Sequence, residues 1–286
     1  MPSPKALHSV LHQPRRHWVG NGFPVRTLFA YPEHGEVLSP FLLLDYAEPT
    51  EFPPTSERLG VGEHPHRGFQ TVTLVYSGEV EHRDSSGGGG RIGTGDVQWM
   101  SAASGLVHEE FHGREFARTG GTFEVMQLWV NLPAAAKSTT PSYQTILKDQ
   151  IPELQLPEGK LRIVAGSYEE TRGPASTFTP MDVWDLEFSG PAPFDVALPE
   201  GHSAGLAVRR GPVIVNGTPL QAGEVAVFQQ KGSLLHIEPS PGSALLLLSG
   251  APIPEPIAGG GPFVMNTPAE IRQAYADYQE GRMGRL

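Results

Sequence analysis

The 286-residue chain has no cysteine, which excludes disulfides, thiolate metal sites and cysteine nucleophiles outright. It also lacks any apolar run near the roughly 18–20 residues that span a bilayer. Its start, Met1-Pro2-Ser3-Pro4-Lys5, has none of the apolar core of a secretory signal, so a soluble cytoplasmic protein is expected, with no membrane partner. Basic residues are in deficit. Against 31 Asp and Glu there are 21 Lys and Arg, a formal net charge of −10, which argues against direct binding of nucleic acid. Long helical patterns are scarce, and 34 glycines with 28 prolines favour many short strands joined by turns.

Histidine is present and unevenly placed, nine of the 11 lying at or before His112. His64 and His66 are two apart, and so are His108 and Glu110. Side chains alternate faces along a strand, so each pair points both members the same way. If the two strands are neighbours, three imidazoles and a carboxylate converge. That donor set suits a divalent first-row metal with positions left for water or substrate. Glu109 has the wrong parity to join it. His112 has the parity of His108 and is either a neighbour of the ligands or a solvent-exposed side chain.

Taken in order, Val25–Ala30 reads as a first strand ended by Pro32, and the apolar run 41–46 as a buried strand. The Pro-, Glu- and Thr-rich residues 47–60 read as a loop. Thr71–Tyr76 and Glu79–Arg83 follow as strands, and Gly87–Gly90 as a flexible hairpin loop, since no Gly-Lys-Ser/Thr follows to make a phosphate cradle. Val97–Met100 and Glu124–Val130 are further strands. Trp99 and Trp129 are expected in the core, and Phe69 and Met126 are candidate walls of a pocket. The tail holds the one clear helix. Thr267-Pro268-Ala269-Glu270 is a capping box with proline in the first turn, Ile271, Ala274, Tyr275 and Tyr278 share a face, and Gly281 stops it.

The second half repeats the first. Gly95-Asp96-Val97-Gln98-Trp99-Met100 has its echo in Gly223-Glu224-Val225-Ala226-Val227-Phe228, 128 residues on. At the same offset His108 meets His236 and Glu110 meets Glu238, a pattern that points to duplication of a β-domain. Asn216-Gly217 marks a hairpin turn there. No His-x-His occurs in this half. Its histidines are His202 and His236, and with Glu238 they offer an incomplete ligand set.

His64-Pro65-His66-Arg67-Gly68-Phe69, Gly95 to Met100, Gly105-Leu106-Val107-His108-Glu109-Glu110, Leu128-Trp129-Val130-Asn131-Leu132 and Gly261-Pro262-Phe263-Val264-Met265-Asn266-Thr267 together resemble the pirin family. They span most of the chain in family order. The resemblance implies an all-β fold of two tandem cupin barrels (double-stranded antiparallel β-helix, or jelly-roll) with a C-terminal helix. Residues 1–135 would form the metal-binding barrel, 136–160 a linker, and 161–286 a barrel without a complete metal site, with the tail helix near 268–280. One metal per chain is implied, on His64, His66, His108 and Glu110, and in pirins it is usually iron. The same ligands accept Mn, Co, Ni, Cu or Zn. The family pattern has glutamate where this chain has Gln70, which removes a charge beside the ligands without removing a ligand.

The resemblance further implies an Fe(II)-dependent dioxygenase that cleaves a flavonol such as quercetin with O2 and releases carbon monoxide, Glu110 acting as both ligand and general base. Its alternative is an iron redox sensor that acts on a protein partner without turnover.

Overall fold

The computed structural model describes residues 2–12 and 15–286. These fall into two compact units. One comprises Arg15–Pro32, Phe41–Lys148 and Ile253–Leu286; the other comprises the residues before Arg15, Glu33–Pro40 and Asp149–Pro252. The chain therefore departs from a simple division around a linker at 136–160. Part of that segment, Ser142–Ile146, is a strand paired with Val97–Ser101, and Glu153–Leu156 pairs with Gly159–Ala165. The Ser, Thr and Pro content of the segment reflects edge strands and short connections, not a loose tether.

The first unit has an antiparallel seven-stranded sheet, in the order Ser142–Ile146, Val97–Ser101, Phe69–Ser77, Gly121–Asn131, Phe41–Phe52, Phe23–Ala30 and His17–Val19. A four-stranded antiparallel sheet runs Gly60–His66, Leu106–His112, Glu79–Asp84 and Gly89–Gly93. Val75, Val125 and Ala47 of the larger sheet pack with Val80 and Ile92 of the smaller one, as sheets with one apolar face each require. The strand at Phe41 runs on to Phe52, so the first part of the expected 47–60 loop is strand. Gly121–Asn131 pairs with it through Gly121 and Phe52, and this long ladder overrides the local Pro and Glu signals.

The other unit repeats the plan with seven strands and four. Leu186, Leu206, Leu245 and Leu247 of its larger sheet pack with Val213, Val215, Leu235 and Ile237 of its smaller one. The repeat extends to a turn. Asp96 Oδ2 accepts from the Gly93 amide at 2.8 Å, and Glu224 Oε2 from the Gln221 amide at 2.8 Å. Gly95 and Gly223 have φ of 90° and 83°, which a side chain would disfavour.

Among the described residues there are three α-helices, Tyr31–Leu38, Arg114–Thr119 and Pro268–Gln279, and none is long and apolar enough to cross a membrane. The short first two carry no clear periodicity. The third begins at Thr267, whose hydroxyl accepts from the Glu270 amide at 3.3 Å. Its buried face carries Ala274 and Asp277, while Tyr275 and Tyr278 are 40% and 37% exposed. Asp277 turns inward because Arg67 of the histidine motif donates to it at 2.6 Å, an ion pair that periodicity of apolar residues does not reveal.

Candidate metal centre

The two half-motifs lie on neighbouring antiparallel strands, with His64 opposite His108 and His66 opposite Leu106. The ligand atoms of His64, His66 and His108 all fall within 4.8 Å of one another. A β-bulge between His108 and Glu110 interrupts this pairing. On its other side the same strand pairs in regular register with Glu79–Asp84, which sets His82 opposite Glu110 and Asp84 opposite His108. His82, His108 and Glu110 thus form a second, overlapping group of the same span.

The hydrogen bonds separate the two ring nitrogens of each imidazole. His64 Nδ1 meets the Gly62 carbonyl at 2.7 Å and His66 Nδ1 the Pro262 carbonyl at 3.2 Å. A carbonyl only accepts, so both rings carry the proton on Nδ1 and present a bare Nε2. His108 Nδ1 lies 3.2 Å from His82 Nδ1, and His108 Nε2 is buried without a hydrogen-bond partner. A buried unpaired nitrogen costs free energy unless an electron-pair acceptor occupies its front. Burial first, and the neighbouring His64, push the His66 imidazole down to about 3. Burial and the other three histidines push His108 well below its ordinary range. Both are neutral donors, the form in which imidazole binds a metal. The donor set fits a divalent first-row cation.

Glu110 is fixed from two sides. Gln98 Nε2 donates to its Oε1 at 2.8 Å and Gln127 Nε2 to its Oε2 at 2.9 Å. Burial alone would raise this carboxyl, but hydrogen bonding and charge from His82, with the Gln127 amide, hold it at about 2. It is an anion beside the histidines. Tyr143, from the segment expected to be linker, donates to Gln98 Oε1 at 3.0 Å and so orients that amide.

His82 lay outside the expected ligand set. Its Nε2 sits 3.3 Å from Asp84 Oδ2, and its Nδ1 3.3 Å from Gln98 Nε2. Burial pulls this ring toward neutrality, but hydrogen bonds to Asp84 and Glu110 outweigh it and raise its proton affinity. The alternation of Val80, His82 and Asp84 with Glu79, Glu81 and Arg83 was the signal that could have placed it inside.

The remaining expectations divide. Glu109 faces away, as parity requires, and meets Arg83 at 2.6 Å and Arg58 at 3.1 Å. His112 is neither exposed nor beside the ligands. Its Nε2–H donates to the Gly22 carbonyl at 2.8 Å, and it packs among Phe23, Phe52, Phe116 and Phe123. Gln70 is fully buried and donates to Ser101 Oγ at 2.6 Å, with no hydrogen bond to the histidines among the described residues. Trp99 is a core residue. Trp129 is half-buried, not in the core; its ring lies tilted 4.2 Å from that of Phe69, and both pack on His66, so they hold that imidazole in place.

A narrow cavity, about 40 Å³, opens beside His64 and Glu110. Val19, Phe23, Val25, Val61 and Val125 wall it, and Asp45, Thr73 and Gln127 form its polar side. Met126, between Val125 and Gln127, has the opposite parity and is not a wall.

Comparison with known proteins decides the family. A Pirin family model matches residues 22–130, and a Pirin C-terminal cupin domain model matches residues 183–284. The chain is 50% identical over 280 residues to a Pseudomonas aeruginosa protein named "Putative quercetin 2,3-dioxygenase", covering 97% of this chain and 98% of that protein. The chain belongs to the pirin family. A pirin-like protein of Caulobacter vibrioides is 36% identical over 295 residues, 99% of this chain and 100% of that one. A crystal structure of quercetin 2,3-dioxygenase from Acinetobacter baumannii superposes with a TM-score of 0.96 at 48% identity, over 99% of both chains. The pirin fold of two tandem cupin domains is thereby shown. A bacterial pirin from Escherichia coli in complex with nickel(II) shares that fold at a TM-score of 0.65 and 19% identity, over 86% of this chain and 100% of that one.

Proposed function

We propose that the chain is a metal-dependent dioxygenase that opens a flavonol such as quercetin with O2 and releases carbon monoxide. His64, His66, His108 and Glu110 are the proposed ligands and Fe(II) the proposed metal. The observation that carries this reading is the buried, unpartnered Nε2 of His108 among two imidazoles whose Nδ1 atoms are already engaged. A bound divalent metal would supply Lewis acidity toward a flavonol hydroxyl and an electron source for O2.

The protein's own part is orientation and exclusion of water. Gln98 and Gln127 hold the Glu110 carboxylate in one rotamer, and the valine and phenylalanine walls keep the site dry. The cavity is too narrow for a three-ring substrate as it stands, so binding requires its walls to move apart. The names of the relatives support the substrate class.

The test is anaerobic reload of metal-stripped protein with Fe(II), then addition of quercetin in air. Loss of quercetin absorbance with carbon monoxide release is expected. Stoichiometric iron without turnover would reject the enzyme in favour of a redox sensor acting on a protein partner.

A further inference from the structure

The larger sheet of the unit that holds the histidines carries a transverse row of polar residues across its strands. Thr27 stands opposite Asp45, Asp45 opposite Gln127, Gln127 opposite Thr73, Thr73 opposite Gln98, and Gln98 opposite Thr145. Two members of this row, Gln98 and Gln127, spend their amides on Glu110. Asp45 is its one carboxylate. It lines the same cavity as His64 and Glu110 and is half-buried. Thr27 Oγ1 donates to its Oδ1 at 2.5 Å, which fixes the carboxylate plane, and no hydrogen bond to Oδ2 is present among the described residues.

We propose that Asp45, not Glu110, takes the proton from the substrate hydroxyl that enters this cavity. This rests on the flavonol reading above. Glu110 is poorly placed for the task, since each of its oxygens already accepts an amide hydrogen and it is needed beside the imidazoles. Asp45 lines the cavity with only its Oδ1 accepting a hydrogen bond among the described residues. The step is a plain proton transfer. The flavonol O–H bond breaks, its electron pair stays on the flavonol oxygen, and the proton bonds to Asp45 Oδ2, with no change of oxidation state. Burial raises the proton affinity of Asp45, opposed by the Thr27 hydrogen bond and the charge of His17, and a raised affinity suits a base. The charged or titratable groups around it are His17 on the edge strand and His64 and Glu110, which line the same cavity.

The test compares Asp45→Asn and Asp45→Glu with the parent protein, each reloaded with Fe(II) and checked for equal metal content. Quercetin is added without O2, and the red shift that marks its ionised form is followed against pH. Turnover is then measured in air. In Asp45→Asn the ionisation of bound quercetin is expected to move up by at least about one pH unit, and turnover to fall about 10²–10⁴-fold, the usual worth of a general base. Asp45→Glu should recover part of both. Unchanged ionisation and turnover in Asp45→Asn would overturn the assignment while leaving the dioxygenase intact. A parent protein that ionises quercetin through Asp45 without cleaving it would overturn the dioxygenase and leave the assignment standing. No binding of quercetin at all would overturn both.

Discussion

His82 and His108 face each other through their Nδ1 atoms, 3.2 Å apart. One of the two must carry the proton. His82 Nδ1 also receives the Gln98 amide at 3.3 Å, while its Nε2 points at the Asp84 carboxylate. With the His82 Nε2–H turned to Asp84 and its Nδ1 lone pair left to accept, the proton of the 3.2 Å bond lies on His108 Nδ1 and His108 Nε2 is bare. A residue outside the proposed ligand set thereby selects the tautomer of a proposed ligand.

Replacing His82 by alanine should therefore weaken metal binding about 10–100-fold, the usual effect of losing such an orienting partner. Competition with a chelator of known affinity measures it. Unchanged affinity would mean that His108 needs no orienting partner.

The metal-free protein should lose stability on mild acidification. His66 is fully buried and held at about 3, against 6.5 for a free imidazole. The unfolded chain takes up this proton first, so stability is complete above pH 6.5 and declines as pH falls toward 3. By pH 5 this group alone should cost about 2 kcal/mol. Denaturant melts of metal-free protein at pH 7 and 5 test this, and a His66→Gln variant should flatten the difference.

Asp182, in the other unit, should behave in the opposite sense. Burial raises its carboxyl to about 6 against the hydrogen bonds from Ser167 and Ser249. Stability is then full below the ordinary value near 3.8 and is lost as pH rises through 6. Asp182→Asn should be more stable than the parent at pH 7.5, by about 2–3 kcal/mol, and no more stable at pH 3.5.

Lys137 is 3% exposed. It donates to the Gly68 carbonyl at 2.6 Å, to Asn131 Oδ1 at 2.7 Å and to the Val264 carbonyl at 2.9 Å. Gly68 lies two residues after His66, and a side chain there would strike the Val264 carbonyl. Lys137→Met takes their shared donor from the Gly68 and Val264 carbonyls, while Asn131 Oδ1 keeps the Leu132 amide at 3.0 Å, and should cost about 2–4 kcal/mol, read as a lowered melting temperature. No loss would mean that these acceptors find other donors.

Much of this was legible in the residues, because strand parity is a strong constraint. It put His64 with His66 and His108 with Glu110 and turned Glu109 outward, while the 128-residue repeat tied Asp96 to Glu224. Parity fails where partners lie on strands far apart in sequence. His82 is isolated in its own strand, and only its pairing with Leu106–His112 brings it to the site. Tyr143 was hidden in a stretch whose composition resembles a linker, and Asp45 in an apolar run. His112 shows the reverse error. It keeps the parity of the ligands, but four phenylalanines from other segments close around it.

The most direct test of the metal centre is anomalous diffraction from crystals of the Fe(II)-reloaded protein. One peak per chain is predicted, bounded by the Nε2 atoms of His64, His66 and His108 with a Glu110 oxygen beside it. A peak held by His82 Nδ1, a peak at His202 or His236, or no peak at all would contradict it.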